Sequence, residues 1–381
     1  MKKFLYPSLI LIVTIGIVCY YAVALYDFSG KSPSQNDASL EYNLYRSIVD
    51  GQRLSFEVDN TLIGAVTTTW LPALIQRVTH IEPSILFRYY AIPLIIWLPL
   101  IIYFITKRYL KPYQSFLVSI LFVSQPYYMI AVGVSRIIIA TTFLALGVWI
   151  ILKEVMKTRT KVIYLSLLAI LMSITHCGTA IASIAFLIGW ITLSFVLRRH
   201  WFAINKYRIR DISIFLVVLC ICASIWFGLV AGFLGAHTVE ISKAILKGTT
   251  GTTSSASGLL SNTVLGINFL TNSIIARLEV IATWLVILSL ILGFIVHIKR
   301  HYLFTGAAVI GLGLLGLGLV SPVLSSSYGI QRIYFHFSFL LLPFAIYGLV
   351  WISQKIRLRE WILPVVLTGF YITTSIIGHF V

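Results

Sequence analysis

Charge is what this sequence has least of. Only 11% of its 381 residues are Asp, Glu, Lys or Arg, with twelve acids against twenty-nine bases. Soluble domains carry roughly 25% charged residues. Together with 59% hydrophobic residues and a mean hydropathy of +0.95, this excludes a soluble globular protein, a disordered chain and a collagen-like repeat. Cysteine is scarce too. Cys19, Cys177, Cys220 and Cys222 all fall in apolar stretches, so a disulfide scaffold is excluded and they read as small apolar residues. Cys220 and Cys222 form a C-x-C with no second ligand pair nearby, which is not a zinc spacing. The chain lacks a Walker-type lysine loop, an H-E-x-x-H and a G-x-S-x-G, so ATP-driven transport and the common membrane hydrolases find no motif. Gly311-Leu-Gly313-Leu-Leu-Gly316 fits the dinucleotide fingerprint, but that motif needs a preceding strand and a turn open to phosphate. Here it lies inside an apolar run, where glycines at 311, 313, 316 and 318 predict close helix packing.

Long apolar runs are what the sequence does have. Read as helices of about 20 residues per crossing, they predict eleven spans, near 5–26, 84–106, 113–130, 137–152, 162–176, 179–197, 212–233, 275–297, 303–321, 333–352 and 361–379. The fold class expected is an all-α polytopic membrane protein, one membrane domain over 1–381. The net charge of +17 could suggest nucleic acid, but its distribution says otherwise. With the N-terminus inside, the inner segments hold nineteen bases against Glu154, Asp211 and Glu360, a net +16; ten bases and nine acids, a net +1, lie outside. The basicity is a topology signal, and nucleic acid is not an expected partner. Lys2-Lys3, an apolar run and Ala22-Val23-Ala24 mimic a cleaved signal peptide. The run exceeds the roughly 7–15-residue core of such peptides, and ten spans follow, so an uncleaved anchor is expected.

Two outer segments break the apolar pattern. The first, 27–83, holds seven of the twelve acids; the second, 234–274, is rich in Gly, Thr and Ser around 248–258. Within the first, Asp37 can cap a helix running to Asp50, with Gly51 as its stop. Leu40, Leu44 and Ile48 form an apolar stripe, and Asp37 and Glu41 lie within about 40° of it. That pattern predicts a helix flat on the membrane surface with two carboxylates at its buried edge. A second amphipathic segment at 61–80 is interrupted by Pro72. The plainer alternative is a solvated acidic loop.

Cations also stand where they are otherwise depleted. Arg88, Arg136 and Arg332 each begin a span at its outer end, His176 ends one on the same side, and His336 sits one turn beyond Arg332. Singly, an interfacial arginine snorkels to headgroups and a histidine packs between helices. Together they make a candidate clamp for an anionic headgroup.

The anchor span, the acid-bearing first outer loop, Trp70-Leu71-Pro72, the span ending in Lys107-Arg108 and the arginine opening the fourth span resemble the GT-C superfamily of membrane glycosyltransferases. Asn36-Asp37-Ala-Ser-Leu-Glu41-Tyr42, Val49-Asp-Gly51, Thr175-His176-Cys-Gly-Thr179 and Tyr328-Gly-Ile-Gln-Arg332-Ile-Tyr334 are similar to an uncharacterised, mainly archaeal family of predicted multi-pass proteins with that architecture. The resemblance implies transfer of a sugar from a polyprenyl-phosphate donor to a glycan, lipid or protein acceptor on the outer face of a cell membrane. It implies Asp37 as base, Glu41 orienting the acceptor or binding a divalent cation, and Arg88, Arg136 and Arg332 at the lipid phosphate, with His176 and His336 as second choices. A polysaccharide polymerase or ligase would place bases in a large late outer loop, where 234–274 offers only Lys243 and Lys247. A lipid-linked glycan transporter would show mid-span charges and paired broken helices. A non-catalytic assembly subunit is the remaining alternative.

Overall fold

The computed structural model describes residues 2–24, 36–51, 65–153, 156–196, 206–230, 274–297, 302–320 and 330–378. Among the described residues every regular element is a helix. Six are long and apolar enough to cross a membrane: Pro83–Thr106, Ser135–Leu152, Thr158–Thr175, Cys177–Val196, Arg208–Gly228 and Gln331–Lys355. Five shorter apolar helices, Leu5–Cys19, Pro112–Val123, Val280–Val296, Phe304–Leu317 and Ile362–Thr374, occupy the remaining apolar runs. This architecture fits a membrane protein. Many large apolar side chains face outward, among them Ile12, Ile163, Leu288 and Val366, as a lipid-facing surface requires.

In chain order the helices are α1 (Lys2–Ala24), α2 (Asn36–Val49), α3 (Trp70–Thr79), α4 (Pro83–Tyr89), α5 (Ile92–Ile95), α6 (Trp97–Thr106), α7 (Pro112–Val123), α8 (Pro126–Gly133), α9 (Ser135–Leu152), α10 (Thr158–Thr175), α11 (Cys177–Val196), α12 (Lys206–Ala223), α13 (Ile274–His297), α14 (Tyr302–Val320), α15 (Ile330–Lys355) and α16 (Ile362–Gly378). A π-helical stretch, Ser224–Val230, continues α12.

Proline decides where expected spans break. The run at 113–130 is two helices rather than one. Pro126 has no N–H to donate and drives Gln125 to an extended φ of −70° and ψ of 137°. The twelve residues of α7 therefore reach only about 18 Å. The run at 84–106 is likewise segmented into α4, α5 and α6 around Pro93. Pro72, expected to interrupt a helix, instead sits in the first turn of α3, where a missing N–H costs little.

Two helices form the centre. The apolar stretches of Gln331–Lys355 and Ser135–Leu152 are 89% and 83% buried, against 33% for Arg208–Gly228. On α15, Phe335, Phe337, Phe339 and Phe344 are buried, and Phe337 stacks on Phe186 of α11 at 5.1 Å. Among the described residues the most extensive helix contact is between α13 and α15. A methyl group on Gly348 would collide with the Ser289 carbonyl, and one on Gly293 with the Phe344 carbonyl and the Gly348 nitrogen. The glycine run at 311–316 contributes less than its spacing predicts. Gly311 lies against Phe337, while Gly313 and Gly316 have open space around them.

Polar contacts gather at two ends of the bundle. At one end Arg108 and Arg208 donate to the Leu152 carbonyl, Lys111 pairs with Glu360 at 2.5 Å, and buried Lys161 pairs with Asp211 at 3.0 Å. All of these are residues assigned to the inner side on charge grounds. The other end carries α2, α3 and the candidate site.

Candidate functional site

The site is built from α2 downward. This helix runs Asn36–Val49 and ends as expected at Gly51, whose φ of 77° is a conformation that favours glycine. Its buried face differs from the leucine stripe. Leu40 is 49% exposed, while Glu41, Tyr42, Tyr45 and Ile48 are buried. Aromatic packing sets this rotation. Phe87 of α4 stacks on Tyr45 at 5.5 Å and meets Tyr42 edge-on at 5.2 Å, and large flat rings outweigh leucine in the area they bury. Arg77 of α3 donates to the Ile48 carbonyl at 3.2 Å, closing the C-terminal end of α2.

Rotation onto the aromatic face carries Glu41 inward. It is wholly buried, and its Oε1 lies 2.5 Å from Nη1 of Arg136, itself 7% exposed. Ninety-five residues separate the pair in sequence. Arg136 is the second residue of α9. Farther along α9, Thr141 places its hydroxyl 2.8 Å from Nδ1 of His336, and Thr179 of α11 lies 3.3 Å from His336 Nε2. Thr179 also lies 2.7 Å from Nδ1 of His176, whose ring centroid is 6.5 Å from that of His336. Burial is the main force holding the His176 imidazole well below its ordinary range; the charge of Arg136 adds to it, and His336 and Arg332 act in the same direction. His176 is therefore neutral at pH 7.

Five of the seven residues singled out in the sequence thus share one neighbourhood: Glu41, Arg136, His176, Arg332 and His336. Arg88 is carried on α4 beside the cluster, its guanidinium 5.9 Å from the Tyr89 ring, with Tyr90 bonded to Ser135 at 3.1 Å. Asp37 is the second residue of α2, inside its first turn rather than at the cap position expected for it, and one turn before Glu41; its side chain is outside the described residues, as are residues 234–273. The turn at 65–69 also closes on the site, Val66 N–H donating to the Ile174 carbonyl at 3.0 Å.

Sequence reasoning gave no role to Thr141, Thr179, Tyr42 or Tyr45. Thr179 carries a local signal, three residues after His176 at the start of a helix. Thr141 carries none, because its partner is 195 residues away. Among the described residues no three His, Cys, Asp or Glu gather, and Glu41 directs an oxygen to Arg136. The described donors do not make a divalent-cation site.

No protein-family model and no curated protein matches the chain.

Proposed function

We propose that the chain is a multi-pass glycosyltransferase of GT-C type with eleven crossings and an inside N-terminus. It moves a sugar from a polyprenyl-phosphate donor to an acceptor on the outer face of a cell membrane. The observation that carries this reading is the convergence of a carboxylate, two arginines and two histidines, from α2, α9, α15 and the α10–α11 junction, under a surface helix that bears a second acid. A bilayer end lined with permanent cations suits a lipid-borne phosphate.

The chemistry is a single displacement. The acceptor hydroxyl attacks the anomeric carbon, the bond from that carbon to the phosphate oxygen breaks, and the configuration inverts. Asp37 takes the hydroxyl proton as attack proceeds. Arg332, with Arg88 and Arg136 nearby, stabilises the charge gained by the departing polyprenyl phosphate. Glu41 suits positioning better than proton transfer. Its pairing with Arg136 anchors α2 on α9 and sets Asp37 one turn farther out.

The test is an assay of the purified protein in lipid with a panel of radiolabelled polyprenyl-phosphate sugars. Label appearing in an acceptor is the expected result. Donor returned chemically unchanged across the panel would contradict transfer and favour transport.

A further inference from the structure

His176 stands where two helices meet. It ends α10, its N–H bonding the Met172 carbonyl at 3.2 Å, and opens α11, its carbonyl accepting from Ala180 N–H at 3.1 Å. Its side chain is the N-cap of α11: Nδ1 accepts the backbone N–H of Thr179 at 3.1 Å, the place usually taken by a Ser, Thr, Asp or Asn oxygen. A backbone N–H cannot rotate away, so Nδ1 carries the lone pair, and in the neutral ring the proton is on Nε2. Burial keeps the ring neutral, and the groups facing it act in the same direction: Arg136 from α9, and His336 and Arg332 from α15. The positive end of α11 acts in the same direction. Among the described residues, every hydrogen bond of the ring is made at Nδ1. The Nε2–H edge remains for a ligand.

We infer that His176 is a neutral hydrogen-bond donor whose Nε2–H binds a phosphate oxygen of the lipid-linked donor, with the helix cap fixing the tautomer. This rests on the function proposed above. It assigns His176 a different role from that of the arginines: a directional donor rather than a cation.

The experiment has two readouts. Nitrogen NMR of protein labelled at histidine, with His176 assigned by its loss in the variant, reports the tautomer without any ligand. A protonated Nε2 and an unprotonated Nδ1 are expected at pH 7, and the Nε2–H signal should shift on adding farnesyl phosphate. Binding of farnesyl phosphate is then compared with His176→Asn. Asparagine is a strong N-cap, so the fold and the melting temperature should hold, but its short amide does not reach the Nε2 position. A loss of about tenfold or more in affinity is expected for one hydrogen bond to a charged group. Equal binding by His176→Asn, or a proton found on Nδ1, would overturn the inference and leave the transferase reading standing. Failure of the wild type to bind farnesyl phosphate, with the Nε2–H tautomer present, would overturn the lipid-phosphate reading and the ligand role of His176 with it.

Discussion

At the scale of single residues, the Glu41–Arg136 pair dominates. Two charges out of water are tolerated only while each has the other, and removing one partner of a buried pair typically costs about 3–5 kcal/mol. Glu41→Ala should therefore lower the melting temperature sharply, and adding Arg136→Met should recover part of the loss. Additive losses in this double-mutant cycle would contradict the pairing. His176 gives a pH prediction. Its folded pKa lies below the unfolded value of about 6.5, so the unfolded chain binds the extra proton first. The stability this contributes is present above pH 6.5 and is lost as pH falls below it. Melting temperatures between pH 7 and 5 should fall for the wild type and fall less for His176→Asn. Arg332 and His336, four apart on one helix, were legible together in the sequence. The Glu41–Arg136 contact was not, because nothing local links residues 95 positions apart.

At the scale of elements, apolar runs were readable because burying backbone in lipid demands helices wherever side chains are apolar. Their breaks were harder to read. Pro126 sits inside a hydrophobic run that hydropathy cannot distinguish from a continuous span, yet it ends α7 at Val123. The rotation of α2 was also hidden, since Tyr42 and Tyr45 outweigh the leucine stripe only once Phe87 is in place. The α13–α15 contact yields a direct test. Gly348 has backbone of α13 where a side chain would go, so Gly348→Leu should separate the helices and abolish a cooperative melt. Gly313→Leu, with open space around it, should melt within a few degrees of wild type. Similar behaviour of the two variants would contradict the close crossing.

At the scale of the whole molecule, the two polar ends carry opposite assignments. Charge bias puts Thr158 at the inner end and the first loop outside, and the described contacts keep the two sets of residues apart. Cysteines engineered at Ser34 and Thr158 should be labelled from the outer side only at position 34. Labelling at position 158 would reverse the orientation and contradict the placement of the site on the outer face. The measurement that bears most directly on the proposal is sugar transfer by Asp37→Asn. The substitution keeps the size of the side chain while removing the proton acceptor. General-base catalysis is worth roughly 10²–10⁴-fold, so transfer should fall by about that factor with donor binding retained. Transfer by Asp37→Asn near the wild-type rate would contradict catalysis by Asp37.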